Sequence, residues 1–207
     1  PPPDAPPRYG ADAPPSLLES AAAAVSAVAE RSSEALAAVV VTGDLAAHGL
    51  QDPAGAAMRV HDALRRAARP GRTGAGRRSD PALVYALGNN DVSPDYDPDP
   101  RSLAALASAI APALDALGPH VRDRFAQRGY YEADIRGTEL TAVVLNTVAL
   151  SPRRPGGEAA AAAAGREQMA WLEAKLARVE ERGRRALVVG HIPPGVSAYA
   201  PGEAEWA

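Results

Sequence analysis

Three short apolar runs in this sequence each end in a glycine followed by a polar side chain. These pairs are Gly43-Asp44 after residues 37–41, Gly88-Asn89 after residues 82–87 and Gly190-His191 after residues 186–189. In α/β proteins, ligand sites form beyond the carboxyl ends of strands, and glycine lets the chain turn sharply there. Oxygen and imidazole ligands suit divalent ions such as zinc, manganese, iron or magnesium. The pattern therefore predicts that Asp44, Asn89 and His191 converge on a metal site.

The elements that must position these residues follow from hydrophobic periodicity and turn residues. The predicted strands are 37–41, 82–87, 129–135, 139–146 and 186–189, and the predicted helices are about 16–32, 53–69, 101–117 and 166–182. Residues 151–165, with their alanine tract, are predicted to be a loop. His61 and His120 fall on predicted helices outside any motif, so we expect partly exposed side chains without a role. The alternation of strands and helices over residues 1–207 predicts a single α/β domain.

The order G-D, G-N-[HN]-[DE], G-H-x-P resembles the calcineurin-like metallophosphoesterases, and the likeness is closer to their acid sphingomyelinase-like branch. Five further segments look like segments of that branch, so that the resemblance covers nearly the whole chain. They are Y-G-A-D-A-P at 9–14, T-G-D-L-A-A-H at 42–48, G-Y-Y at 129–131, L-N-T at 145–147 and G-H-I-P-P-G at 190–195. A helix with a Q-x-x-W-L pattern, which begins at Gln168, is similar as well.

The resemblance implies a four-layer αββα sandwich with two divalent metal ions at one edge, most simply zinc, with manganese, iron or magnesium as alternatives. Asp44 would bridge both ions, and Asn89 and His191 would bind the second. The family also supplies ligands from a D-x-H and a G-H-x-H motif, and residues 1–207 contain neither. We therefore expect a domain that is incomplete at both ends and shows little hydrolysis by itself.

The implied reaction is metal-dependent hydrolysis of a phosphoester, in which a bridging hydroxide attacks phosphorus in line. His48 of the T-G-D-x-x-x-H segment is the candidate acid at the leaving oxygen. Asn90 occupies a position that is histidine in the commoner motif, and it can donate a hydrogen bond but cannot titrate. Fungal endopolyphosphatases of the same branch also carry G-N-N-D, and a phosphate leaving group needs an acid less than an alkoxide does. Asp91 is expected to orient the loop.

Composition limits the remaining possibilities. The formal net charge of −3 argues against a nucleic-acid partner, and the absence of cysteine excludes disulfides and thiolate metal sites. No run approaches the roughly 18 apolar residues of a membrane span. The resemblance implies a phosphoester or polyphosphate substrate as the partner, with an endopolyphosphatase as one alternative and a non-catalytic protein of the same fold as another. The resemblance implies secretion or a lysosomal or vacuolar lumen, and the oligomeric state stays open.

Overall fold

The structure is a computed structural model that describes residues 12–31, 36–69 and 80–194. Residues 9–11 and Gly195, which carry part of the family resemblance, lie outside these ranges. The helices are α1 Pro15–Arg31, α2 Pro53–Ala67, α3 Pro100–Ala109, α4 Ala111–Leu117, α5 Val121–Arg128 and α6 Gly157–Glu181, with a 3-10 helix at Thr147–Leu150. The strands are β1 Ala38–Val41, β2 Ala82–Tyr85, β3 Tyr131–Asp134, β4 Leu140–Val144 and β5 Arg185–Val189.

The strands form two small sheets. In the first, β1 and β2 pair in parallel, and in the second β4 lies between an antiparallel β3 and a parallel β5. This arrangement confirms the α/β class, whereas the four-layer sandwich and the single domain over residues 1–207 stay predictions. The strands that precede Asp44 and Asn89 are neighbours in one sheet, and the strand that precedes His191 belongs to the other. A site formed by these residues thus lies where the two sheets meet.

Two helix predictions were wrong. The single helix expected at 101–117 is interrupted at Ile110, where α3 ends and α4 begins with Pro112 in its first turn. Proline lacks the N–H that a continuous helix would use. The alanine tract expected in a loop lies inside α6, which agrees with the high helix propensity of alanine.

One buried tyrosine connects the two sheets. Tyr131 on β3 is fully buried, and its hydroxyl accepts from the Tyr85 N–H and donates to the Tyr85 carbonyl, at 3.0 Å each. Directly after β2, the N–H of Ala86 donates to the carbonyl of Val41 on β1, so the backbone groups of Tyr85 face away from β1. The Tyr131 hydroxyl therefore provides hydrogen-bond partners for the Tyr85 N–H and carbonyl, which in a wider sheet would bond to a neighbouring strand.

The two histidines outside the motifs differ from each other. His61, which we expected to be partly exposed, is buried on α2, where its Nδ1 lies 3.1 Å from the Tyr85 hydroxyl. Burial lowers the pKa of His61, because the charged form would lose its hydration. His120 is exposed and directly precedes α5. As for membranes, none of the described helices combines the length and the apolar character that crossing a bilayer requires.

Candidate active site

The loops after β1 and β2 touch at two glycines. A Cβ atom on Gly43 would lie 2.5 Å from the Gly88 nitrogen, and one on Gly88 would lie 2.0 Å from the Asp44 nitrogen. No side chain fits either position, so glycine is what allows the two loops to meet. Asp44 itself has a φ of 55°, which is uncommon for a residue other than glycine. The resulting turn carries its carboxylate toward the second loop, where it accepts a hydrogen bond from the Asn90 N–H at 3.0 Å.

Asp91 fastens these two loops together. One carboxylate oxygen accepts from the N–H groups of Leu45 and Ala46 at 2.7 and 3.2 Å, and the other accepts from those of Asp44 and Gly88 at 3.0 and 2.8 Å. Burial raises the pKa of Asp91 to about 6, a shift that the Gly88 N–H opposes and the Asp44 charge reinforces. Asp91 thus occupies the position expected of a residue that orients the loop.

The Asp44 carboxylate is the centre of the polar cluster. Its two oxygens accept from the backbone N–H and the side-chain amide of Asn90, at 3.0 and 3.1 Å, and His191 Nε2 lies 3.4 Å away. Burial alone would raise the pKa of Asp44, but the hydrogen bonds from His191 and from the Asn90 N–H hold it below its usual value. Asn90, predicted to face the substrate phosphate, here contacts the proposed bridging ligand.

His191 is oriented through both ring nitrogens. Nδ1 lies 2.7 Å from the carbonyl oxygen of Thr42, and Nε2 lies 3.1 Å from Asn89 Oδ1. Burial would lower the pKa of His191, but the Asp44 carboxylate raises it above the usual value because it stabilises the imidazolium. Three donor atoms therefore converge: His191 Nε2, Asn89 Oδ1 and Asp44 Oδ1.

This donor set fits a divalent metal ion. A metal-binding histidine usually donates its other N–H to a carbonyl or carboxylate, which is what the Thr42 carbonyl accepts here. Mixed nitrogen and oxygen ligands suit zinc, manganese or iron. Within the described ranges, no three or more His, Cys, Asp or Glu residues converge, so the Asn89 amide is an essential part of this set.

A second layer of hydrogen bonds fixes the His191 loop. The Thr147 hydroxyl accepts from the N–H groups of His191 and Ile192 at 3.1 and 2.8 Å. Gln168 on α6 is buried and holds the residue before Thr147, since its side chain bonds both the N–H and the carbonyl of Asn146 at 2.7 and 3.0 Å. Sequence reasoning missed the roles of Thr147 and Gln168, although the L-N-T and Q-x-x-W-L segments had drawn attention to them.

His48 occupies a separate position. The structure brings together Asp44, Asn89, Asn90, Asp91 and His191, but none of the hydrogen bonds that His48 makes within the described residues reaches this group. Its side chain is 71% exposed and contacts Asp12, which sequence reasoning had noted only as part of a motif. The charge of Asp44 nevertheless contributes to the raised pKa of His48, which places the two groups within electrostatic reach of each other.

Comparison with known proteins finds relatives of modest sequence identity. No family model matches the chain. The chain is 30% identical to an endopolyphosphatase of Neurospora crassa over 123 residues, which are 58% of this chain. It is 29% identical to an endopolyphosphatase of Schizosaccharomyces pombe over 120 residues, which are 56% of this chain. It is also 27% identical over 173 residues, or 78% of this chain, to a sphingomyelinase phosphodiesterase D of Dictyostelium discoideum. The resemblance to metallophosphoesterase-type hydrolases is confirmed. The chain spans 17%, 21% and 34% of the lengths of these three relatives.

Proposed function

We propose that this chain carries active-site residues of a metal-dependent phosphoester hydrolase. The observation that supports this most directly is the convergence of Asn89 Oδ1 and Asp44 Oδ1 on His191 Nε2, at 3.1 and 3.4 Å. In the proposal, Asp44, Asn89 and His191 would hold divalent ions, zinc most simply, with Asp44 as a ligand of both ions and Asn89 and His191 as ligands of one. When bound, such ions activate water for in-line attack on phosphorus and neutralise the charge that develops on the oxygens.

The other residues act by positioning and by proton transfer. The Thr42 carbonyl holds the His191 ring so that Nε2 faces Asn89 Oδ1, and Asp91 accepts from the N–H groups of both Asp44 and Gly88 and so holds their loops together. His48 gives a proton to the leaving oxygen. Asn90 donates an amide hydrogen bond at the phosphate or, as in the structure, to the Asp44 carboxylate.

Polyphosphate is the second candidate substrate beside a phosphodiester, and one specific feature favours it. Asn90 cannot protonate a leaving group, and a phosphate leaving group is much less basic than an alkoxide. Two of the relatives are named endopolyphosphatases, which agrees with this choice, and the third is named for a phosphodiesterase. The lumenal or secreted location and the lack of a nucleic-acid partner stay predictions.

Removal of the bridging ligand tests the metal site. In the natural protein that contains this sequence, Asp44→Asn and His191→Ala should lower both the bound metal, measured by elemental analysis after dialysis, and kcat/KM. The loss should exceed the roughly 10–100-fold that follows removal of an outer hydrogen-bonding partner of a metal ligand. Asp123→Asn, an exposed carboxylate on α5, is the matched control. Unchanged metal content and activity in Asp44→Asn would refute this metal site, and absence of hydrolysis by the wild type would favour a non-catalytic protein of the same fold.

The Asn90→His variant tests the choice of substrate. A general acid contributes typically about 10²–10⁴-fold when the leaving group is basic. The substitution should therefore raise kcat/KM for an alkyl phosphodiester more than for polyphosphate. Equal fold-changes on both substrates would refute the leaving-group argument and leave the metal site unaffected.

A further inference from the structure

A carboxylate–imidazole pair lies beside the candidate site. Asp12 Oδ1 is 2.6 Å from His48 Nδ1 and also accepts from the backbone N–H of His48 at 3.4 Å. We infer that Asp12 is a positioning residue, which holds the His48 imidazole with its Nε2 presented to the leaving oxygen of a bound phosphoester. This role rests on the proposed function.

The contact constrains His48 in two ways. Because one carboxylate oxygen meets both the ring and the backbone N–H, it fixes the rotation of the ring and the course of the loop after β1 together. Asp12 lies three residues before α1 and is distant in sequence from His48, so the pair also ties two separate segments of the chain. An exposed ion pair of this kind contributes little to stability. Its main physical consequence is therefore the orientation of His48.

Hydrogen bonding to Asp12 also selects the tautomer. With the Nδ1 proton held by the carboxylate, Nε2 is the nitrogen that can give up or accept a proton, and the side chain that carries it is largely exposed to solvent. The structure therefore presents a histidine whose reactive nitrogen is on the side away from its partner. An acid of this type needs to lie within hydrogen-bond reach of the leaving oxygen.

Three carboxylates face His48 from the surrounding segments. Asp12 contacts it from the segment before α1, Asp44 lies earlier on the same loop, and Asp95 belongs to the loop after β2, where it accepts from the Gly49 N–H at 3.3 Å. The hydrogen bond to Asp12 has the largest influence and raises the pKa of His48. Burial, which is second in size, opposes it, and the charges of Asp12, Asp44 and Asp95 reinforce it, so that the pKa lies above the usual value. The imidazolium, which is the form that can act as an acid, thus persists to higher pH than in a free histidine.

The proton balance of the step is simple. As the water oxygen forms its bond to phosphorus and gives up a proton to solvent, the bond from phosphorus to the leaving oxygen breaks and its electron pair stays on that oxygen. The leaving oxygen takes the proton from His48 Nε2. The neutral imidazole keeps its Nδ1 hydrogen bond to the Asp12 carboxylate, and a proton from solvent restores the imidazolium for the next turnover.

The first test follows His48 directly by NMR, without activity. In the 207-residue chain, Asp12→Asn should lower the pKa of His48 and reduce the fraction of the Nδ1-protonated tautomer, both read from the imidazole ¹⁵N shifts. Asp12→Glu should restore part of both effects, and Asp123→Asn should change neither. An Asp12→Asn chain with the pKa and the tautomer of the wild type would overturn the pairing.

The second test measures hydrolysis of an alkyl phosphodiester by the natural protein with its metals. Asp12→Asn should lower kcat by about 10–100-fold, as loss of an orienting partner does elsewhere, with KM nearly unchanged. The alkaline limb of the pH profile should also move to lower pH. If His48→Ala lowers kcat while Asp12→Asn does not, the positioning role is wrong although the proposed function stands. If the wild type hydrolyses neither diester nor polyphosphate, the proposed function fails, and with it the catalytic role of the pair.

Discussion

Removal of one hydroxyl should measure how strongly the two sheets are joined. Tyr131→Phe keeps the ring, which packs edge-on against Phe125 in the core, and deletes only the hydroxyl that bridges the N–H and the carbonyl of Tyr85. Both of these backbone groups belong to a residue that is fully buried. The variant therefore leaves a donor and an acceptor without partners in a place that water does not reach.

The expected cost follows from these two groups. A buried polar group that loses its partner costs about 1–3 kcal/mol, so the pair should cost about 2–4 kcal/mol after some relaxation. Against a typical free energy of unfolding of about 5–15 kcal/mol, this is a large fraction. Tyr130→Phe is the matched control, because its hydroxyl makes only a 3.4 Å contact with the exposed Glu167. We expect a change of about 0.5 kcal/mol or less for a surface hydroxyl of this kind.

Urea unfolding of the 207-residue chain, followed by circular dichroism, gives both values. The midpoint of Tyr131→Phe should fall with an unchanged dependence on urea, which would show that stability has changed and compactness has not. If Tyr131→Phe and Tyr130→Phe agree to within about 0.5 kcal/mol, then the Tyr85 groups find other partners, and the reasoning from unpaired groups is refuted.

Three further predictions concern the site and its surroundings. Gly88→Ala should be far more destabilising than Gly137→Ala in urea unfolding, because the Cβ added at Gly88 would lie 2.0 Å from the Asp44 nitrogen. A Cβ at Gly137 would meet open space, so that variant should lose only the roughly 1–2 kcal/mol that a left-handed backbone costs. Similar losses of stability in the two variants would contradict the close approach of the loops. Thr147→Val should lower metal affinity about 10–100-fold in isothermal titration calorimetry, because two N–H groups of the His191 loop lose their acceptor. Thr147→Ser, which keeps the hydroxyl, should not lower it. Equal metal affinities of Thr147→Val and the wild type would show that Thr147 does not support the site. Burial lowers the pKa of His61, so near that pKa the unfolded chain binds more protons than the folded one, and the free energy of unfolding should fall as pH drops below about 6.5. His61→Gln should flatten this fall between pH values of about 7.5 and 5. An equally steep fall in the variant would show that other groups cause the pH dependence.

The sequence by itself determined where polar side chains follow apolar strands. The strands before Asp44, Asn89 and His191 were predicted to within two residues at each end, because a short run of β-branched and other apolar residues that ends in glycine is a local signal. The ligand types were readable for the same reason, since Asp, Asn and His offer oxygen and nitrogen donors wherever they lie. Helix boundaries were less readable, as the alanine tract shows: its composition favours a helix, but it lacks the periodic pattern on which the prediction relied.

Only the tertiary structure decided which of these residues meet. His191 follows a strand of one sheet and contacts Asp44 and Asn89, which follow strands of the other, and no periodicity encodes the packing of two sheets. The contact of Asp12 with His48 is of the same kind. These two groups of contacts join residues that are far apart along the chain. The distances between the contacting atoms are set by strand register, by the close approach of loops that glycine permits and by the packing of the buried core between the elements.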